Sequence, residues 1–400
     1  MHYGWLVVAA GCLCIFACLG LGRFAIGMLL PAMGESLGLT YSQMGLISTG
    51  NFFGYLLAVL TCGRMQETMG ARRLIFFALT LIALSTGLIG LADGYVAVTL
   101  LYTLTGIGSG AANVPMMGLV TAWFAGRLRG RAAGFVVIGS GFAILASGFT
   151  LPVLNALGEE GWRLSWFALA ATVFLISVVC RQVLRDRPAE LGLHRVGGED
   201  EEKGAAARTV FRPFDPRVLV HCGTIYFIFG FTYVIYATFI VTVLVNEYGF
   251  AEKTAGHFWS WVGVLSLFSG PVFGTLSDRV GRATGLTLVF AIQAIAYLLV
   301  GLHLPGPALA VSIGCFGIVA WSVPTIMIAL VGDLVGAVNT VRTFGVITFI
   351  FGLGQILGPY LAGLLAERNG DFSTSFLMAS ALTLLAAAIS WRFRNLGKKS

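Results

Sequence analysis

The chain has 400 residues, of which 57% are apolar and only 11% charged, where a soluble protein runs about 45–50% and about 25%. A soluble globule is excluded. The net charge of +7 is distributed as membrane topology requires, along the connections between apolar runs, so no nucleic-acid partner is expected.

Cutting the apolar runs at charges and turn residues predicts an all-α membrane protein of twelve transmembrane helices at 5–33, 42–62, 73–92, 95–121, 131–157, 162–182, 218–246, 254–275, 283–303, 306–331, 342–366 and 371–391. The amino terminus lacks a basic leader, and the apolar run from Trp5 to Met33 is too long for a signal-peptide core, so it should stay as helix one. That helix contains Gly20-Leu-Gly22-Arg23-Phe. Arg23 stands ten residues before the helix end, about 15 Å along the axis. A buried arginine costs at least about 2.5–3.5 kcal/mol, so it should face a wet cavity or a partner. No Asp or Glu lies deep in any predicted helix; an anionic small-molecule substrate is therefore the economical partner, against a structural arginine bonded to carbonyls or snorkelling outward.

Between helices two and three the chain reads Gly63-Arg-Met-Gln-Glu67-Thr-Met-Gly70, with Ala71-Arg72-Arg73 following. Helix four carries Asn113-Val-Pro115, where proline frees a carbonyl and Asn113 becomes a substrate contact. Residues 185–217, with the acidic run from Glu199 to Glu202 and then Gly204-Ala-Ala-Ala, read as a solvated linker between a bundle at 1–184 and another at 218–400. Helix seven carries Tyr226, Phe229, Tyr233 and Tyr236 at three- and four-residue spacing, predicting one aromatic face with hydroxyls; plain packing is the competing reading. Between helices eight and nine the chain reads Gly274-Thr-Leu-Ser-Asp278-Arg279-Val-Gly281-Arg282, and helix ten carries Trp321-Ser-Val-Pro324, with Trp321 a second contact candidate. His221 and His257 are the histidines placed to carry a coupling proton, and both read more simply as interfacial residues. Small residues at four-residue spacing (Gly50, Gly54 and Ala58; Gly106 and Gly110; Gly354, Gly358 and Ala362) should let helices approach closely. The seven cysteines lie in or beside apolar stretches without zinc-finger or disulfide spacing; neither metal nor cofactor is expected.

The two halves repeat. Gly63 and Gly70 recur as Gly274 and Gly281, Val114-Pro115 as Val323-Pro324, Gly134 as Gly345 and Gly20 as Gly230, at offsets near 210 residues. Two pseudo-symmetric six-helix bundles follow, a build that holds substrate near the midplane. The same offset matches Arg23 with Tyr233 and predicts that the tyrosines stand across a cavity from it. With a cytoplasmic amino terminus, only Arg163, Lys253 and Arg368 fall in the outer connections. Both termini should then be cytoplasmic.

The Gly274–Arg282 segment matches the G-x-L-x-D-R-x-G-R signature of the major facilitator superfamily, which implies the major facilitator fold, a secondary carrier cycling by alternating access, and a gating role for Gly63, Glu67, Gly70, Gly274, Asp278, Arg279, Gly281 and Arg282. By that resemblance Asp278 should meet the start of helix five near Arg129 and Arg131, and Glu67 the start of helix eleven near Arg342. The first copy departs from the pattern, with Glu67 where Asp is usual and Thr68 where Arg is usual. The opening His2-Tyr3-Gly4-Trp5 resembles monocarboxylate and oxalate/formate-type carriers, while Gly-Leu-Gly-Arg-Phe with the Tyr226 to Tyr236 segment resembles bacterial carriers of the YbfB/YjiJ type. The first two branches carry a buried cation in helix eight, which has none here. The resulting expectation is a monomeric bacterial inner-membrane carrier for a small organic anion, a monocarboxylate above all, with a coupling proton left open. The alternatives are export of a hydrophobic or cationic compound, or a membrane receptor. An enzyme is not expected, because no cluster of acid, base or nucleophile is visible.

Overall fold

The computed structural model describes residues 2–158, 160–198 and 216–396. Among these residues twelve helices are long and apolar enough to cross a membrane. They are α1 (Gly4–Leu37), α2 (Tyr41–Met69), α3 (Ala71–Ile89), α4 (Tyr95–Trp123), α5 (Gly126–Asn155), α6 (Gly161–Val183), α7 (Pro216–Glu247), α8 (Glu252–Val280), α9 (Arg282–Gly301), α10 (Gly306–Gly336), α11 (Arg342–Asn369) and α12 (Ser373–Arg392). Their number and order are those expected from the apolar runs.

The helices gather into two units. In the first, α1 packs on α5 and α3 packs on α4 and α6. Glycine makes the closest approaches: a Cβ on Gly20 would collide with Ala143, and one on Gly139 with the Cys12 carbonyl. Gly54 and Gly106 likewise let α2 and α4 touch backbone to backbone, at the carbonyls of Thr103 and Asn51. In the second unit α7 packs on α11, with Gly354 and Gly358 seated on the carbonyls of Phe227 and Phe231. The α1–α5 and α7–α11 pairs are the repeat made visible, with Gly20 and its counterpart Gly230 each leaving no room for a side chain against the partner helix.

The unit boundaries differ from the expected ones at both ends. Leu39–Thr49, the first turns of α2, cluster with the second unit. There Thr49 Oγ1 donates to the Ile356 carbonyl at 2.8 Å, the Ser42 amide and hydroxyl both reach the Glu367 carboxylate, and Gly45 has no room for a side chain against Pro359. The segment expected to be a solvated linker begins instead as a docked strap on the first unit. After a short 3-10 turn at Pro188–Leu191, Val196 forms a two-bond bridge, its amide donating to the Trp123 carbonyl at 2.9 Å and its carbonyl accepting from Ala125 at 3.0 Å. The Arg127 guanidinium caps the Gly197 carbonyl at 2.9 Å. The acidic run and the Gly-Ala stretch lie outside the described residues.

The helices carrying the repeated motifs also run farther than expected. α2 continues to Met69 and α8 to Val280, so Gly63 and the stretch from Leu276 to Val280 sit inside helices. The turn belongs to the second glycine of each copy, Gly70 at φ 82° and Gly281 at φ 92°, a backbone region costly to residues with a Cβ. Arg, Met, Gln and Glu are good helix formers and hold the helix until that glycine ends it.

Candidate functional site

Arg23 lies in the first unit at the end of a π-helical stretch, Phe16–Phe24, that interrupts α1. The stretch widens the backbone ring, and the Ala25 amide reaches five residues back to the Gly20 carbonyl at 3.1 Å. Carbonyls turned out of such a helix need other donors in lipid, and neighbouring helices supply them. Ser109 Oγ of α4 donates to the Cys18 carbonyl at 2.7 Å, Asn51 Nδ2 of α2 to the Gly22 carbonyl at 3.2 Å, and Tyr102 OH of α4 to the Arg23 carbonyl at 2.9 Å. Asn51 Nδ2 also reaches the Tyr102 carbonyl at 3.1 Å, tying the two donor helices together. The backbone under Arg23 is thus fixed by three side chains distant in sequence.

The residue is only 7% exposed. Its guanidinium carbon lies 4.2 Å from the centre of the Phe52 ring and 4.5 Å from that of Tyr55, both on α2. Each contact contributes about 0.5–2 kcal/mol and offsets part of the cost of burying the cation. Both rings lie within cation–π reach of the guanidinium, and a planar N–H fork is the geometry that matches a carboxylate. Asn113 is tied to the residues around Arg23 through Tyr55. Its amide donates to Tyr55 OH at 2.8 Å, so it acts by setting the ring on which Arg23 rests. Phe52 and Tyr55 were not singled out in the sequence, although they sit one and four positions after the buried polar Asn51.

The second unit divides the predicted tyrosine face. Tyr226 and Tyr233 stack on Phe351 of α11, at 4.4 Å and 5.9 Å between ring centres, with Phe229 stacked between them. Gln355 Nε2 donates to Tyr233 OH, and the Trp321 ring meets Tyr233 edge-on at 6.2 Å. Tyr236 points elsewhere. It is fully buried, shares a 2.8 Å hydrogen bond with Ser312 of α10 and stacks on Phe316 at 4.0 Å. Trp321 marks a break in α10, where its amide donates to Ser269 Oγ of α8 at 3.1 Å and Ser322 Oγ donates to the Ser269 carbonyl at 3.0 Å. Pro324 falls in the first turn of the resumed helix, where a missing N–H costs little.

At the motif turns, Asp278 pairs with Arg282 across Gly281, and Arg282 also reaches Asp333 of α10 at 3.3 Å and Ser277 Oγ at 2.9 Å. Arg279 is exposed. In the first unit the carboxylate at the turn is not that of Glu67, whose residue is exposed. Asp186, from the strap after α6, packs against Gly70 and accepts the Arg72 amide at 2.7 Å, while Arg72 Nε holds the Arg181 carbonyl at 2.8 Å. Asp186 and Asp333 are additions that the motif pattern did not identify.

Twelve apolar helices in two repeated six-helix sets, with a cation held deep in the first of them, define a polytopic membrane carrier. The comparisons name its kind: the chain belongs to the family described as "Uncharacterised MFS-type transporter YbfB", matched over residues 15–391. It is therefore a transporter of the major facilitator superfamily and not an enzyme. It is 24% identical over 388 residues to the hexuronate transporter of Bacillus subtilis (strain 168), covering 93% of this chain and 90% of that protein. A probable sulfoacetate transporter, SauU, of Cupriavidus necator is 24% identical over 393 residues, covering 92% and 89%. Among solved structures, a bacterial homologue of the human lysosomal transporter Spinster, inward-facing and occupied, shares the fold at a TM-score of 0.74 and 16% identity, over 97% of this chain and 96% of that one.

Proposed function

We propose that this carrier moves a small organic anion, in the first place a monocarboxylate, across the bacterial inner membrane by alternating access, with the substrate carboxylate docking on Arg23. The observation that carries the reading is the built position of that arginine: buried, held over the Phe52 and Tyr55 rings, and mounted on a π-turn whose carbonyls are held by Asn51, Tyr102 and Ser109. Holding a cation there costs free energy that a purely structural helix would avoid. An anion matched to its fork recovers that cost at each binding event. The names of the two relatives support the class, since hexuronate and sulfoacetate are both small anions bearing a carboxylate. Asn113 belongs to this site through Tyr55. In the second unit Tyr233, with Gln355 and Trp321 against it, supplies the polar aromatic contact, while Tyr226 and Tyr236 serve packing. Both termini are cytoplasmic, the carrier works as a monomer, and the Gly70 and Gly281 turns, with Asp186 and Asp278 at them, belong to its gating together with the exposed Glu67 in the last turn of α2.

The test is a thermal-shift panel on the purified protein with glucuronate, lactate, tartrate and sulfoacetate, and with glucose as the neutral analogue. A ligand that binds only the folded state raises its melting temperature by mass action. Stabilisation by at least one carboxylate and none by glucose is expected, and lost in Arg23→Gln. Equal response of the wild type and Arg23→Gln to every anion refutes the assignment.

A further inference from the structure

At the end of the second unit away from its motif turn, three connections converge on one carboxylate. α7 finishes in a π-turn, Val243–Glu247, that brings Glu247 inward until its side chain is 8% exposed. One carboxylate oxygen accepts the Phe372 amide at 2.8 Å, in the connection between α11 and α12. The other lies 3.7 Å from Nδ1 of His303, in the connection between α9 and α10. The imidazole is 40% exposed, stacks on Tyr248 at 4.5 Å with the rings 5° from parallel, and has Ser373 Oγ at 3.3 Å.

His303 is also the only residue other than glycine with a left-handed backbone among the described residues, at φ 54°. Several connections at such helix ends meet the same demand with glycine, as Gly38, Gly249 and Gly370 do. A histidine there costs free energy that glycine would not. What the histidine adds is its ring. The titratable groups that act on the pair are Tyr248 on the α7–α8 connection and Asp371 on the α11–α12 connection; the adjoining helix ends also carry Arg368 in the last turn of α11 and Glu252, Lys253 and His257 in the first turns of α8.

The repeat supplies a comparison within the chain. At an offset of 210 residues, His303 corresponds to Asp93 and Ser373 to Arg163. In the first unit these two residues form a 2.8 Å ion pair, and Arg163 further holds Glu160 at 3.1 Å and the Ala92 carbonyl at 2.9 Å. Arginine and aspartate both stay charged throughout the neutral range. The first unit therefore closes this corner with a fixed ion pair, whereas the second uses the one side chain whose charge ordinarily changes between pH 5 and 8.

We infer that Glu247 and His303 form a proton-binding site, a titratable clasp on the three connections of the second unit. The proton comes from the compartment this end faces, reaches the exposed imidazole and is held there by the buried carboxylate at its side. The Coulomb attraction exists only when the imidazole is charged. The pairing therefore stabilises the fold only where a charged imidazole faces a charged carboxylate, and because burial pushes the Glu247 carboxyl above its ordinary range, acid removes the pairing from the carboxylate side as well. The site owes nothing to Arg23, and stands or falls apart from the anion assignment.

The experiment is a set of melting curves on the purified full-length protein from pH 8 to pH 5.5 at constant ionic strength. The variants are His303→Asn, which tolerates the left-handed backbone and cannot ionise, Glu247→Gln, which still accepts the Phe372 amide, the double variant, and Asp93→Asn. The wild-type melting temperature should rise relative to His303→Asn on acidification from pH 8 to pH 6. Glu247→Gln and the double variant should follow the His303→Asn slope, and Asp93→Asn should be lower at every pH with the wild-type slope. Wild-type and His303→Asn curves that run parallel over this range overturn the proposal, as does a wild-type slope retained in Glu247→Gln. Should Glu247→Gln not fold, the first difference alone decides.

Discussion

Tyr102→Phe removes one oxygen atom from the structure, and with it the 2.9 Å bond to the Arg23 carbonyl. The ring is buried, so the change leaves packing intact and isolates the bond. In a soluble protein an orphaned buried carbonyl costs about 1–3 kcal/mol. Interhelical bonds in membranes average about 0.6 kcal/mol with a maximum near 1.7, because the unfolded chain in lipid also finds partners. The second scale applies here, and the loss is softened further because Asn51 and Ser109 still hold the neighbouring carbonyls of the π-turn. A stability loss of about 0.6–1.7 kcal/mol is expected. If the π-turn exists to aim Arg23, part of this reappears in binding, as a loss of about two- to tenfold in affinity for the most stabilising carboxylate of the panel. The decisive assay is a double-mutant cycle, with affinity measured by calorimetry on the wild type, Tyr102→Phe, Arg23→Lys and the pair. Coupled losses, smaller in the double variant than the sum of the singles, support an aimed arginine. Additive losses, or a lowered melting temperature with unchanged affinity, refute the reasoning and leave Tyr102 a purely structural tyrosine.

Arg23→Gln should abolish carboxylate binding in folded protein, a loss of about 2–5 kcal/mol by analogy with truncated charge pairs, while Arg23→Lys keeps part of it; a normal affinity in well-folded Arg23→Gln contradicts the site. Gly70→Ala should lower the melting temperature more than Gly281→Ala, because both force a side chain into a positive-φ, extended-ψ region that is essentially glycine's alone, at about 1–3 kcal/mol, but only at Gly70 does the new Cβ meet the Asp186 carboxylate; equal losses in thermal unfolding would show that the Asp186 contact carries no weight. For topology, single cysteines at Lys253 and Ala189 on a cysteine-free background should be labelled by an impermeant reagent in intact cells at Lys253 alone. Labelling at Ala189 reverses the orientation.

The twelve spans were readable because a bilayer imposes about 20 apolar residues on each crossing, and the repeat because glycines and prolines return at fixed offsets. Arg23 was readable for a negative reason, as the charge in an apolar run. Its surroundings were not, since the π-turn is set by Asn51, Tyr102 and Ser109, which lie 28 to 86 positions away from it in the chain. The tyrosine face failed for a different cause. The most apolar stretch of α7 is 94% buried, so the helix has neighbours all round and periodicity carries no information about which side matters. Tyr236 could thus share the spacing of Tyr226 and Tyr233 and still face another helix. The strap at Val196 was hidden because its two bonds use only backbone atoms.

The π-turn in α1 has a bearing on how this helix tolerates change in length. A π segment holds an extra residue relative to the α-helix on either side of it, and one residue of an α-helix corresponds to about 100° of rotation. The stretches Gly4–Ile15 and Ile26–Leu37 are therefore out of phase with each other compared with an uninterrupted helix. Removing a single residue between Phe16 and Phe24 restores the ordinary phase by swinging one end of α1 through roughly a quarter turn, either dragging Arg23 off Phe52 and Tyr55 or pulling Gly20 off Ala143. The extra residue is what lets one helix satisfy two angular demands at once, a glycine edge for close packing and an arginine turned toward α2.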